Sequence, residues 1–293
     1  MTTPAKQLSR LLASTRCHIM PCCWDALSAR LIEQAGYDFT FMSGFAVSAA
    51  RTGEPDTGLI SFGEMIDQGR NICSAVAIPV IGDGDTGYGN ALNVRRTVAQ
   101  YAKAGFAGVM IEDQISPKRC GHVKGKQVVE RQEALTRVRA AVDQREAGSD
   151  IMIVARTDAR GPLGLEEALW RARAFADLGA DILFVEAPQT EEELAAIPEK
   201  VAGLHMANMI AGGATPVVPP RQLESMGYRI AAYPLTVLGA AIEAIQAALS
   251  ALRDNSVQAE GPAFADIKRI VGFDEYQAME VRYSEDKGRA DSG

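Results

Sequence analysis

Eight times along this chain a short apolar run is followed by a stretch whose apolar residues recur at helical spacing, and this alternation constrains the fold most. The runs are His18–Cys22, Phe39–Met42, Ile78–Ile81, Ala107–Ile111, Asp150–Ala155, Asp181–Val185, Leu204–Ala207 and Tyr228–Ala232. The spacing predicts helices over Asp25–Ala35, Phe62–Val76, Asn90–Ala104, Val129–Glu146, Leu165–Leu178, Glu191–Val201, Pro219–Met226 and Leu235–Arg253. One more helix is expected ahead of the first run, at Ala5–Ala13, and Ser43–Leu59 reads as a loop. Three of the helices end on a glycine (Gly36, Gly105, Gly179), which supplies the left-handed residue that turns a helix into the next strand. Parallel strands need a crossover between them, so eight regular units predict an α/β fold, a closed (β/α)8 barrel of the TIM type. The alternative is a doubly wound open sheet, but eight regular units and no expected dinucleotide glycine fingerprint count against it.

On this reading residues 1–254 form the barrel and residues 255–293 a helical extension and tail, with helices at Phe264–Phe273 and Asp274–Tyr283. A helix beyond a completed barrel must bury its apolar side, either on another subunit or back over its own barrel. The content of 47% hydrophobic and 23% charged residues is that of a globular protein. A net charge of −7 argues against a nucleic-acid partner. No apolar run is expected to cross a bilayer, and the first residues lack the apolar core of a signal peptide. The five cysteines, an odd number without disulfide spacing, read as reduced thiols, with Cys17, Cys22 and Cys23 on or beside a strand. A cytoplasmic enzyme acting on a small molecule, with no membrane partner, is the expectation.

In a β/α barrel the functional side chains stand at the C-terminal ends of the strands. Those ends carry Ser43-Gly44, Asp83-Gly84-Asp85, Glu112-Asp113, Arg156-Thr157-Asp158, Glu186, Asn208 and Tyr233-Pro234. So many acids on one rim imply a hard cation, and oxygen ligands suit Mg²⁺ or Mn²⁺. After the fourth strand comes a loop crowded with Lys118, Arg119, Cys120, Gly121, His122, Lys124 and Lys126. Neighbouring cations stabilise a thiolate, so Cys120 is expected to be the reactive thiol of a loop able to close over the rim.

Taken in order, DGDTGYG (Asp83–Gly89), Glu112-Asp113-Gln114, PKRCGH (Pro117–His122), ARTD (Ala155–Asp158), Val185-Glu186-Ala187-Pro188 and Ala207-Asn208-Met209 resemble the isocitrate lyase/phosphoenolpyruvate mutase superfamily. The likeness runs over roughly Cys17–Ala248. The segment Ser43–Ala50 and the loop ending Gly125-Lys126 are most similar to its 2-alkylmalate lyase and petal death protein branch. The resemblance implies a Mg²⁺-dependent carbon–carbon lyase with Asp85 as direct metal ligand and Asp83, Asp56 and Glu112 holding the metal's waters. It implies that Ser43, Gly44 and Phe45 receive the substrate carboxylate, that Arg156 pairs with a substrate oxygen, and that Glu186 and Asn208 line the far side. Cys120 would protonate the departing carbon, with Gly121 and His122 belonging to the same lid, and the assembly would be a homotetramer of dimers that exchange a C-terminal helix.

Three positions depart from members of the family. Some lyases have a tyrosine where this chain has Phe41, which leaves the general base unassigned. Methylisocitrate lyases have an arginine for the third carboxylate where this chain has Gly239, and oxaloacetate hydrolases have serine where it has Pro234. The expectation is therefore a 2,3-dimethylmalate-like dicarboxylate cleaved to pyruvate and a short carboxylate, with methylisocitrate lyase and oxaloacetate acetylhydrolase as alternatives. An arginine from elsewhere, such as Arg160, could replace the missing one.

Overall fold

A computed structural model describes residues 2–119, 125–254 and 261–290, with side chains as far as residue 284. Eight strands, β1 (His18–Cys23), β2 (Thr40–Met42), β3 (Val80–Asp83), β4 (Gly108–Glu112), β5 (Met152–Thr157), β6 (Ile182–Val185), β7 (Leu204–Asn208) and β8 (Ile230–Tyr233), pair in sequence order into a closed barrel. All pairs are parallel, and β1 closes on β8 with His18 opposite Ile230 and Pro21 opposite Tyr233. The predicted (β/α)8 architecture is therefore the observed one. Gly36, Gly105 and Gly179 all take positive φ, as their place at helix ends required.

Successive residues of a strand point to opposite faces, and the packing follows that period of two. Met20, Cys22, Phe41, Ile81, Met110, Met152, Val154, Phe184, Met206, Ile230 and Ala232 form one interior cluster, with Leu8 and Leu12 of helix Pro4–Leu12 packed in the same cluster. The intervening residues, among them Cys23, Met42, Val109, Ile111, Ile153, Ala155, Leu183 and Val185, pack outward against the helices. One step of two beyond the last inward apolar residue lie Ser43, Asp83, Glu112, Arg156, Glu186, Asn208 and Pro234. The strand period alone thus gathers those seven residues at one end of the barrel.

Three expectations need correcting. Ser43–Leu59 is not all loop: Gly44–Thr52 is a helix whose N-cap is Ser43, its Oγ accepting from the Ala46 backbone at 3.3 Å, and Gly53 ends it in the left-handed region. The second correction concerns glycine spacing, because Gly82, Gly84 and Gly87 do match that of a dinucleotide fingerprint. They cannot define an open nucleotide-binding sheet, since the barrel is closed and Gly82 is small for a local reason. A Cβ there would stand 2.7 Å from the Phe106 and Tyr101 rings, and Tyr101 packs in to donate its hydroxyl to the Asp83 carbonyl at 2.7 Å.

The third correction is that one helix, Thr236–Arg253, is long and apolar enough by length and composition to cross a membrane, with a mean hydropathy of 1.2. Its alanines raise the average, while Glu243 and Gln246 interrupt the apolar run. The chain divides into two compact units, Met1–Gly239 and Ala240–Gly293, and this helix runs from the first into the second. The second unit also holds helices Phe264–Ile270 and Phe273–Ala290, and Ile245, Leu249, Phe264 and Tyr276 are exposed in the single chain.

Candidate active site

The rim begins at the start of helix Gly44–Thr52. Gly44 donates its N–H to Asp83 Oδ2 at 3.2 Å, and a Cβ at residue 44 would stand 2.5 Å from that oxygen, so only glycine permits the approach. The other Asp83 oxygen accepts from the Asp85 backbone at 3.0 Å. Asp85 itself is held at φ +48°, and its carbonyl accepts the Glu112 N–H at 2.9 Å, which ties the turn after β3 to the end of β4. Lys118 reaches in from the following loop. Its ammonium lies 2.7 Å from Asp56 Oδ1, 2.8 Å from Asp56 Oδ2 and 2.8 Å from Asp85 Oδ1.

Opposite stands Arg156, at the end of β5 and above the Phe184 ring (5.3 Å to its centroid). Asp158 engages it side-on, Oδ2 to Nε at 2.8 Å and Oδ1 to Nη2 at 3.0 Å, while Glu112 and Glu186 each approach only to 3.4 Å. Asn208 donates to Glu186 at 3.1 Å. One cavity is lined by Ser43, Phe45, Asp56, Asp83, Arg156, Glu186, Asn208 and Pro234, eight of the residues the sequence pointed to. Gly44, Asp85 and Glu112 are buried beside it, whereas Cys120, Gly121 and His122 lie outside the described residues.

The burial of so many charges shifts their protonation. Burial raises the Glu112 carboxyl well above the usual carboxylate range, and neighbouring Asp158 and Asp83 add to this against the pull of Arg156. Asp83 is pushed up to about 6, first by burial and then by Asp85. Burial alone would also raise Asp158, but Arg156 and Lys126, whose ammonium is 2.9 Å away, overcome it and hold Asp158 down at about 2. Burial by itself would discharge Lys118, yet Asp85, Asp83, Glu112 and Asp56 raise it well above its ordinary value, so it stays an ammonium.

Carboxylates outnumber cations here, with Asp56, Asp83, Asp85, Glu112, Asp158 and Glu186 set against Lys118, Arg119, Lys126 and Arg156. Among the described residues no three carboxylates converge as a ready cage for a metal, because Asp56 and Asp85 share the Lys118 ammonium. Glu112 Oε1 is buried without a hydrogen-bond partner among those residues. An all-oxygen donor set in excess of its counter-charges fits a hard divalent cation.

Three further cavity residues were not foreseen. Lys118 and Arg119 read as loop cations tuning a thiol, but both line the cavity, and Gln114 clamps the Arg119 backbone through two bonds of 2.8 and 3.0 Å. Ile210 follows β7 by two residues, so the same period of two could have found it. With Ala232, Pro234 and Leu235 it forms the apolar part of the wall. Gly239 is exposed and does not line the cavity, and nothing lies within 4 Å of where its Cβ would be. Arg160 does not replace the arginine missing there, since its guanidinium is held by Glu193 at 2.6 and 2.7 Å.

A family model described as phosphoenolpyruvate phosphomutase matches residues 8–253. A curated relative, 2,3-dimethylmalate lyase of Eubacterium barkeri, is 39% identical over 288 residues, covering 97% of this chain and 99% of its own. Among solved structures, an oxaloacetate acetylhydrolase bound to the inhibitor 3,3-difluorooxalacetate is 36% identical with a TM-score of 0.91, covering 97% of both chains. A phosphonopyruvate hydrolase bound to oxalate and Mg²⁺ is 30% identical with a TM-score of 0.85, covering 96% of this chain and 99% of that one.

Proposed function

The chain belongs to the isocitrate lyase/phosphoenolpyruvate mutase superfamily and is an enzyme of its lyase kind, and from that premise we propose that it cleaves a 2,3-dimethylmalate-like 2-hydroxy dicarboxylate to pyruvate and a short carboxylate. The observation that carries the substrate reading is the cavity wall of Ile210, Ala232, Pro234 and Leu235, which faces a methyl-bearing carbon better than a third carboxylate. Asp85 and Asp83, with Asp56 and Glu112 near them, would hold Mg²⁺ or Mn²⁺. A bound divalent cation supplies Lewis acidity that lowers the cost of negative charge on the substrate's C2 oxygen.

The chain's own groups supply the rest. The substrate's C1 carboxylate docks at the start of helix Gly44–Thr52, where the Ser43 hydroxyl and the Phe45 N–H can meet an anion beside Gly44, whose own N–H is given to Asp83. Arg156 pairs with a substrate oxygen, and Glu186 with Asn208 bounds the far side. Loss of the C2 hydroxyl proton and breakage of C2–C3 release pyruvate and leave the bonding electrons on C3, beside its carboxylate. Cys120 then delivers a proton to C3, in a site from which water must be excluded. Phe41 lines the cavity and has no proton to exchange, so it is not the base. The enzyme is proposed to work in the cytoplasm as a homotetramer, burying the apolar positions of the second unit between subunits.

Product analysis on 2,3-dimethylmalate, methylisocitrate and oxaloacetate tests the reading. Pyruvate with propionate from dimethylmalate is expected as the fastest reaction. Succinate release from methylisocitrate, or oxalate from oxaloacetate, at a higher kcat/KM would replace it.

A further inference from the structure

Arg156 is the site's inward guanidinium on β5, yet what fixes its direction does not line the cavity. Asp158 is fully buried and takes both Nε and Nη2 of Arg156 at 2.8 and 3.0 Å. Glu112 and Glu186, the carboxylates nearer the cavity, each reach it only at 3.4 Å. A bidentate charge-assisted pair outweighs two long single contacts, so Asp158 sets the plane of the guanidinium. This occupies one edge and leaves Nη1 without a hydrogen bond among the described residues.

Asp158 is itself anchored from the helix side. Its backbone N–H donates to Asp113 Oδ1 at 2.8 Å, and the Thr157 hydroxyl donates to Asp113 Oδ2 at 2.6 Å. Arg171 of helix Leu165–Asp177, only 2% exposed, donates to the same oxygen at 3.1 Å and is held in turn by Glu167 at 2.8 Å. On its remaining side Asp158 accepts from Lys126, at 2.9 Å.

We infer that Asp158 is a positioning residue that aims Arg156 at the substrate, and that Asp113 with Arg171 holds Asp158 in place from outside the cavity. This rests on the proposed pairing of Arg156 with a substrate oxygen. It adds a chain of command: the arginine's aim depends on a helix residue that no substrate reaches. Removing Asp158 leaves Arg156 free to swing toward Glu112 and Glu186, and a misplacement of about 1 Å at a reacting group can cost on the order of 100-fold.

The test is a double-mutant cycle of Asp158→Asn and Arg156→Ala, read as kcat and KM for product formation (pyruvate from dimethylmalate or methylisocitrate, oxalate from oxaloacetate) with whichever of the three panel substrates the unmodified enzyme cleaves. If Asp158 acts through Arg156, Asp158→Asn alone should lower kcat/KM about 100-fold. In the Arg156→Ala background the same change should lower it less than about threefold, because coupled residues are not additive. A general loss of structure would instead multiply the two effects, so equal losses in both backgrounds would overturn the inference. Asp158→Asn leaves Arg156 and Lys126 without their shared counter-charge. Should it not fold, the cycle is run with Lys126→Met in every arm, which removes the orphaned ammonium. Thr157→Val, a milder cut in the same network, should lower kcat/KM about tenfold with a Tm near that of the unmodified enzyme. Full activity in Arg156→Ala would instead reject the arginine's proposed role, and the inference with it.

Discussion

Pro234→Ser is the change whose two consequences can be weighed separately from the geometry. Pro234 follows β8, is half-buried, and lines the cavity beside Ile210, Ala232 and Leu235. Serine removes roughly two methylenes of apolar contact, worth about 0.8 kcal/mol each when fully buried. Partial exposure brings the loss to about 1 kcal/mol, or about fivefold in kcat/KM for dimethylmalate. In the other direction a hydroxyl facing the cavity offers a hydrogen bond of about 1 kcal/mol to a hydrated ketone, so oxaloacetate turnover should rise by a similar factor. Together the ratio of the two activities should swing about 30-fold.

Folding does not confound this. Proline has no N–H to lose, and helix Thr236–Arg253 keeps its first-turn bond from Gly239 N–H to the Leu235 carbonyl at 2.8 Å. The greater freedom of the unfolded serine chain costs under about 1 kcal/mol. Steady-state kinetics on both substrates, with Tm as control, reads the outcome. An unchanged ratio with Tm intact would refute the assignment of this wall to a methyl group. So would efficient methylisocitrate cleavage by the unmodified enzyme, which would point to Arg119 as the partner of the third carboxylate, since that residue lines the cavity.

Asp85→Ala should abolish activity and divalent-metal binding by calorimetry while the far-UV spectrum is kept, and full activity of the unmodified enzyme in excess chelator would remove the metal reading. Cys120→Ser should still bind substrate but lose turnover by about three orders of magnitude, and near-normal kcat would take the proton-donor role from it. The acid limb of stability should follow Asp158. Its folded pKa of about 2 lies below the unfolded carboxylate value, so its contribution is present above about pH 4 and lost as pH falls toward 2. That contribution is roughly 2–3 kcal/mol, and urea titrations between pH 5 and 2 should find the fall flattened in Asp158→Asn. Sedimentation at micromolar concentration should give a tetramer, and a monomer there would dispose of the shared apolar surface.

Much of the site was legible because strand geometry is simple. Once β5 was recognised, Met152 and Val154 inward required Arg156 inward, and the same step of two carried Met110 to Glu112 and Phe184 to Glu186. Helix Gly44–Thr52 was not legible, since Gly-Phe-Ala-Val-Ser-Ala-Ala has little amphipathic contrast and its N-cap serine was read for its chemistry. Lys118 was misread for a different reason. A lysine among cations in a loop looks solvated, and only the tertiary path of the chain reveals that its ammonium ends between Asp56 and Asp85, with the side chain 5% exposed.

The acidic and basic pairs at the strand ends carry a further consequence of the same alternation. In the β4–β5 register Glu112 stands opposite Arg156, so the next residues, Asp113 and Thr157, are neighbours on the outward face. The inward pair meets near the cavity at 3.4 Å, and the outward pair forms the 2.6 Å hydrogen bond that Arg171 reinforces. Two adjacent dipeptides therefore build a chemical face and its support at once. A one-residue slip of β4 against β5 would exchange the faces of β4, turning Asp113 toward the cavity and stranding Glu112 against the helices. Because Asp113 is pinned by Arg171 and by the Asp158 backbone, such a slip would leave several buried charges unpaired. The outward network thus fixes the register, and the register fixes which carboxylates face the substrate.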